Sequence, residues 1–71
     1  MSRQSSGLLG NELRERREVL SLSRLGLAYK AGVDPRTIER IESGQVSPRR
    51  ATLAVIEGVL SKAEAELAEA A

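Results

Sequence analysis

The chain has no cysteine, no histidine, no tryptophan and no phenylalanine, and Tyr29 is its one aromatic residue. Without cysteine there is no disulfide and no thiolate metal site. Without histidine the usual general base and a common metal ligand are missing too. Nothing among the 71 residues pairs a nucleophile with a base, so an enzyme is the least supported reading. The longest apolar runs are a few residues, far short of the roughly 20 that span a bilayer. The N-terminus has Arg3 but no hydrophobic stretch behind it, which is not a secretory signal. The expectation is a soluble cytoplasmic protein without cofactor or metal.

What is present is enough for one small domain, near the lower limit at which a core holds itself together. That core must be built from Leu, Ile, Val and Ala, and these residues recur at helical intervals, so the fold expected is all-α. The net charge is +1, but it is unevenly spread. Through Ile56 ten basic residues face six acids, a balance of +4, whereas Glu57, Glu64, Glu66 and Glu69 against Lys62 leave −3 beyond it. A basic body with an acidic end suits a nucleic-acid partner better than the total suggests.

The most informative stretch is RLGLAYKAGVDPRTIERIES, Arg24 to Ser43. It reads as two short helices joined at Gly32, a residue that adopts a left-handed conformation without penalty. Asp34 is an N-cap type and Pro35 suits the first helical position, where its missing N–H has no partner anyway. Leu27, Ala28 and Ala31 line one face of the first helix; Ile38 and Ile41 line one face of the second. Val33 should plug the turn. Arg36 and Arg40 lie four apart, on the opposite side of the second helix from the isoleucines. A short helix with such a face is what the DNA major groove admits.

Around this centre the rest follows in order. Residues 1–7 read as a flexible arm, followed by a domain over 8–60 and a helical extension over 61–71. Ser6 can cap a first helix from near Leu8 to about Val19, with Leu9, Leu13 and Leu20 on its apolar side. Gly10 should weaken its first turn by about 1 kcal/mol relative to alanine. Ser21 or Ser23 caps the second helix, and the third runs over 35–43 to Gly44. Ser47 and Pro48 repeat the cap-then-proline pattern, which predicts a fourth helix from Pro48 or Arg49. Leu53, Ile56, Leu60, Ala63, Leu67 and Ala70 follow at a/d spacing. The first three should cover the core; Leu60, Ala63 and Leu67 are candidates for contact with a second copy or a partner protein.

The segment LGNELRERREVLSLSRLGLAYKAGVDPRTIERIESGQVSPRRATLAVIEGVL, about three quarters of the chain, resembles the helix-turn-helix family of lambdoid phage repressors and Cro proteins. That family also includes many bacterial regulators and antitoxins. The resemblance rests on Ala28, Gly32, Val33, Ile38, Ile41 and the IESG segment standing in register. It implies a four- to five-helix DNA-binding domain, with Pro35, Arg36 and Arg40 at base-reading positions and Ser23, Arg24, Thr37, Ser43, Gln45, Arg49 and Arg50 along the backbone. It also implies an ion pair between Arg17 and Glu42. Two positions depart from the phage pattern. Arg24 stands where glutamine is common, favouring phosphate contact, and Pro35 replaces a frequent base-contacting glutamine and offers only apolar contact. Glu39 is either an orienting group for the arginines or an acceptor from cytosine.

The leading expectation is therefore a DNA-binding repressor, cytoplasmic and nucleoid-associated when bound, acting as a homodimer on double-stranded DNA. The alternative is an antitoxin-like protein that holds a partner protein with its C-terminal helix and binds its own promoter. A module that has lost DNA binding fits poorly with Arg24, Arg36, Arg40 and Arg49 on one side.

Overall fold

The computed structural model describes residues 10–70, which form four α-helices and no strand. They are α1 (Gly10–Val19), α2 (Arg24–Ala31), α3 (Pro35–Glu42) and α4 (Arg50–Ala70). Each of the first three helices ends in the same way. The N–H of Val33 bonds the carbonyl of Ala28 while that of Gly32 reaches Tyr29; Gln45 and Gly44 do the same to Arg40 and Ile41. Such paired bonds satisfy orphan carbonyls at a helix end and require a left-handed residue between them. Gly32 (φ 70°) and Gly44 (φ 79°) supply it. At the end of α1, Leu22 bonds Arg17 and Ser21 bonds Glu18, and the left-handed residue is Ser21 at φ 57°. Ser21 is thus a helix terminator and not a cap. Ser23, in extended conformation, caps α2 by accepting from the Gly26 N–H at 2.8 Å.

The core is aliphatic: Leu13 from α1, Leu27 and Ala28 from α2, Ile38 and Ile41 from α3, Ile56 and Leu60 from α4. Leu20, Leu22, Ala31, Val33 and Val59 pack around it half-buried, so Val33 edges the turn instead of sealing it. α2 is the centre of the packing, touching both α3 and α4, while α1 lies against α3.

Three expectations need correction. The fourth helix begins at Arg50, not at Pro48 or Arg49 with Ser47 as its cap. Residues 46–49 stay outside any helix, and the carbonyl of Arg49 accepts the first helical bond, from Leu53 at 2.8 Å. Proline's fixed φ suits extended chain as well as a first helical turn, and the extended residues carry the chain to the side of α2 on which α4 packs. Leu60 is fully buried in its own core and is not a surface for a second copy; Ala63 and Leu67 remain accessible. Gly10 is more than a weak helix former. A Cβ there would overlap the Ile41 carbonyl oxygen and lie 2.7 Å from that of Glu42. The backbones of α1 and α3 meet at this point, and only glycine lets them. The expected arm, the Ser6 cap, Leu8 and Leu9 lie outside the described residues.

Two substitutions test these terminators. Gly10→Ala should lower stability by about 1 kcal/mol or more, because overpacking against backbone, roughly 1–3 kcal/mol, outweighs the propensity gain. Ser21→Gly should raise it by about 0.5–1 kcal/mol through relief of left-handed strain. Chemical denaturation of both variants checks the signs; the reverse order would contradict the packing described.

Candidate nucleic-acid interface

α3 has two unlike sides. Ile38 and Ile41 face the core, while Pro35, Arg36, Glu39 and Arg40 are exposed. Asp34 fixes the start of the helix, its Oδ1 accepting the Arg36 N–H at 2.8 Å. Neither Arg36 nor Arg40 has an acidic partner within ion-pair distance among the described residues, so both guanidinium groups are available to solvent or ligand. Thr37 is half-buried on the flank. Ser43, Gln45, Arg49 and Arg50 are exposed beyond the end of α3, with the Ser43 hydroxyl donating to the Arg40 carbonyl at 3.2 Å. Ser23 and Arg24 stand at the start of α2, where α-helical N–H groups and the helix dipole favour an anion.

Behind this surface lies a polar junction. Arg17 is only 7% exposed. Its Nε donates to Glu42 Oε2 at 2.6 Å, its Nη2 to Glu42 Oε1 at 3.1 Å, and its Nη1 to the Leu22 carbonyl at 2.8 Å. One guanidinium thereby joins α1, the α1–α2 link and the end of α3. Arg24 approaches the same carboxylate from outside, Nε to Oε1 at 3.4 Å. The hydrogen bonds that Arg17 donates to Glu42 push the Arg17 pKa upward, so its charge is permanent.

A second arginine junction has no counterpart in the sequence reading. Arg16 Nε and Nη2 donate to the two carboxylate oxygens of Glu64, and Nη1 to Glu57, all at 2.8 Å. Glu57 and Glu64 are two turns apart on one side of α4, a spacing that could have marked them as a pair facing one cation. Their side chains are 38% exposed, against 6% for Glu42. Solvated pairs of this kind contribute up to about 1 kcal/mol, whereas breaking a buried one costs about 3–5 kcal/mol. Removal of one partner therefore costs more at the Arg17–Glu42 junction than at Arg16. Among the described residues no group of acidic side chains is arranged to hold a metal, and no helix is long and apolar enough to cross a membrane.

A short helix braced from behind, with cationic side chains outward and a partner helix presenting its N-terminus beside it, defines a DNA-binding domain. Residues 8–70 match the model of the helix-turn-helix domain family, and the chain belongs to that family of DNA-binding regulators. No curated protein matches it.

Glu42→Ala should cost about 3–5 kcal/mol by leaving Arg17 buried without its carboxylate. Thermal unfolding indistinguishable from the parent would exclude the junction. Glu64 should instead show in acid. The Arg16 hydrogen bonds lower its pKa below the usual carboxylate range. A lowered folded-state pKa contributes stability that is complete above the unfolded value and disappears as pH falls through the folded one. Between those pH values Glu64→Gln should lose less stability on acidification than the parent, measured by denaturation across a pH series.

Proposed function

We propose that the protein is a sequence-specific transcriptional repressor that binds double-stranded DNA as a homodimer, placing α3 in the major groove. The observation that carries this is the outward pair Arg36 and Arg40, four residues apart, exposed and without acidic partners among the described residues. Arginine that bonds guanine O6 and N7 together is the commonest specific contact in that groove. Pro35 adds apolar contact at the tip of the helix, of the sort a thymine methyl accepts. Ser23, Arg24, Thr37, Ser43, Gln45, Arg49 and Arg50 surround the reading helix and hold the sugar-phosphate strands, fixing register without selecting sequence.

Dimerisation places two copies of α3 in successive major grooves about 34 Å apart. The surface that supports it is the end of α4, where Leu67 is 52% exposed and Ala63 half-buried on the side that earlier carries Ile56 and Leu60. An antitoxin-like use of the same helix has less support. Arg16 already engages Glu57 and Glu64, so those two carboxylates of the acidic helix are not available to a partner protein.

Selection of bound sequences from a random DNA pool tests the proposal. A palindromic site is expected, and its absence from the bound pool would remove the dimeric repressor in favour of the partner-protein alternative. Arg36→Ala and Arg40→Ala should each weaken binding to the selected site by about 1–3 kcal/mol if they read bases. Unchanged affinity in both would remove α3 from the interface.

A further inference from the structure

Three arginines stand within four positions of α1, and two are consumed internally: Arg16 by Glu57 and Glu64, Arg17 by Glu42. Arg14 is different. It is exposed and has no acidic partner among the described residues. Together with Arg24, Glu39, Glu42 and Ser43 it lines a cleft of about 210 Å³. At about 30 Å³ per water molecule, that space admits a phosphate group with some of its water. The cleft's charge favours an anion more than its residue list suggests. Both oxygens of Glu42 already accept from the buried Arg17, which leaves Arg14 and Arg24 against Glu39.

The position of the cleft matters as much as its charge. Glu39 lies three residues beyond Arg36, about one turn along the same side of α3, so the cleft adjoins the reading face. Its other wall is Arg24, the first residue of α2, where the positive end of the helix dipole adds to the attraction for an anion. Arg24 rests on Glu42 at 3.4 Å, a loose contact beside the 2.6 Å bond from Arg17. It can turn to an incoming oxygen while Arg17 goes on neutralising the carboxylate.

We propose that this cleft is a seat for one DNA phosphate, with Arg14 of α1 and Arg24 of α2 as its two cationic walls. Arg14 is a positioning contact that none of the helix-turn-helix spacing assigns. It adds α1 to the elements that hold the backbone, and so fixes the tilt of α3 in the groove through a helix that reads no base. Glu39 sits on the rim as a moderating charge, weakening the seat for any phosphate. The inference rests on the DNA-binding reading above.

The test is a titration of the full chain against two labelled duplexes, the pool-selected site and a random sequence, over a series of salt concentrations. Arg14→Gln should lower affinity for both duplexes by the same factor and make the slope of log affinity against log salt shallower by about 0.9 per protomer, about 1.8 for a bound dimer, the loss of one phosphate contact from each copy. Sequence preference and melting temperature should stay at the parent's values. Arg14→Lys should restore the slope, and Glu39→Gln should raise affinity for both duplexes alike. If Arg14→Gln binds with the parent's slope and affinity, the phosphate seat is wrong while the DNA-binding reading stands. A loss confined to the selected duplex would overturn it equally, by assigning Arg14 to a base. A parent chain that binds neither duplex removes both.

Discussion

The carboxylate of Glu42 is the point on which the molecule turns. It closes α3, lies almost wholly out of solvent, and accepts hydrogen bonds from a guanidinium on α1 that also holds the α1–α2 link. A core of leucine, isoleucine and alanine excludes water but carries little directional information, because aliphatic side chains tolerate small rotations of one helix over another. Here no aromatic ring supplies shape. The angle of α3 is set instead by a forked polar contact whose geometry is narrow. Burying two charges brings little net stability. What it adds is orientation: any other pose of α3 leaves a cation or an anion unpaired away from water.

Gly10 belongs to the same arrangement. For Arg17 to reach Glu42 with a short, straight bond, α1 must come close to the end of α3, and the first turn of α1 meets the carbonyls of Ile41 and Glu42. A side chain at position 10 would hold the helices apart and lengthen the ion pair two turns away. Ala28, fully buried, allows a similar closeness between α2 and its neighbours. Small residues at the contacts and one polar fork behind them are how so few residues hold a helix rigid enough to present a surface.

Much of the fold could be read from local chemistry. Asp34 and Pro35 start α3, Gly32 ends α2, and the isoleucine spacing states which side of α3 is inward; each signal acts within one turn of chain. Ser21 escaped as a terminator because serine is rarely left-handed and more often caps. The start of α4 was misplaced because Ser47 and Pro48 are as compatible with extended chain as with a helix. Other features escaped for a different reason. The bonds from Arg16 join residues 41 and 48 apart in sequence, and the conflict at Gly10 arises only when two helices meet. Periodicity assigns a residue to a side of a helix but not to the neighbour it meets there.

Arginine pairing also changes what the charge of the chain means. The sequence divides into a basic body and an acidic end, and a sum over the whole gives +1. The fold sorts the same residues differently. The acidic side of α4 is satisfied by Arg16, a cation from the body, so Glu57 and Glu64 are held against α1 and away from Arg36 and Arg40. Glu42 is satisfied from inside by Arg17. Screening limits charge effects to about 10 Å at moderate salt, so an approaching polyanion responds to the groups near α3 and not to the total. Near α3 those groups are Arg14, Arg24, Arg36 and Arg40, with Asp34 and Glu39 the exposed acids among them. A nearly neutral chain thus presents a cationic face, because its internal ion pairs place the acids where the cations beneath the surface need them.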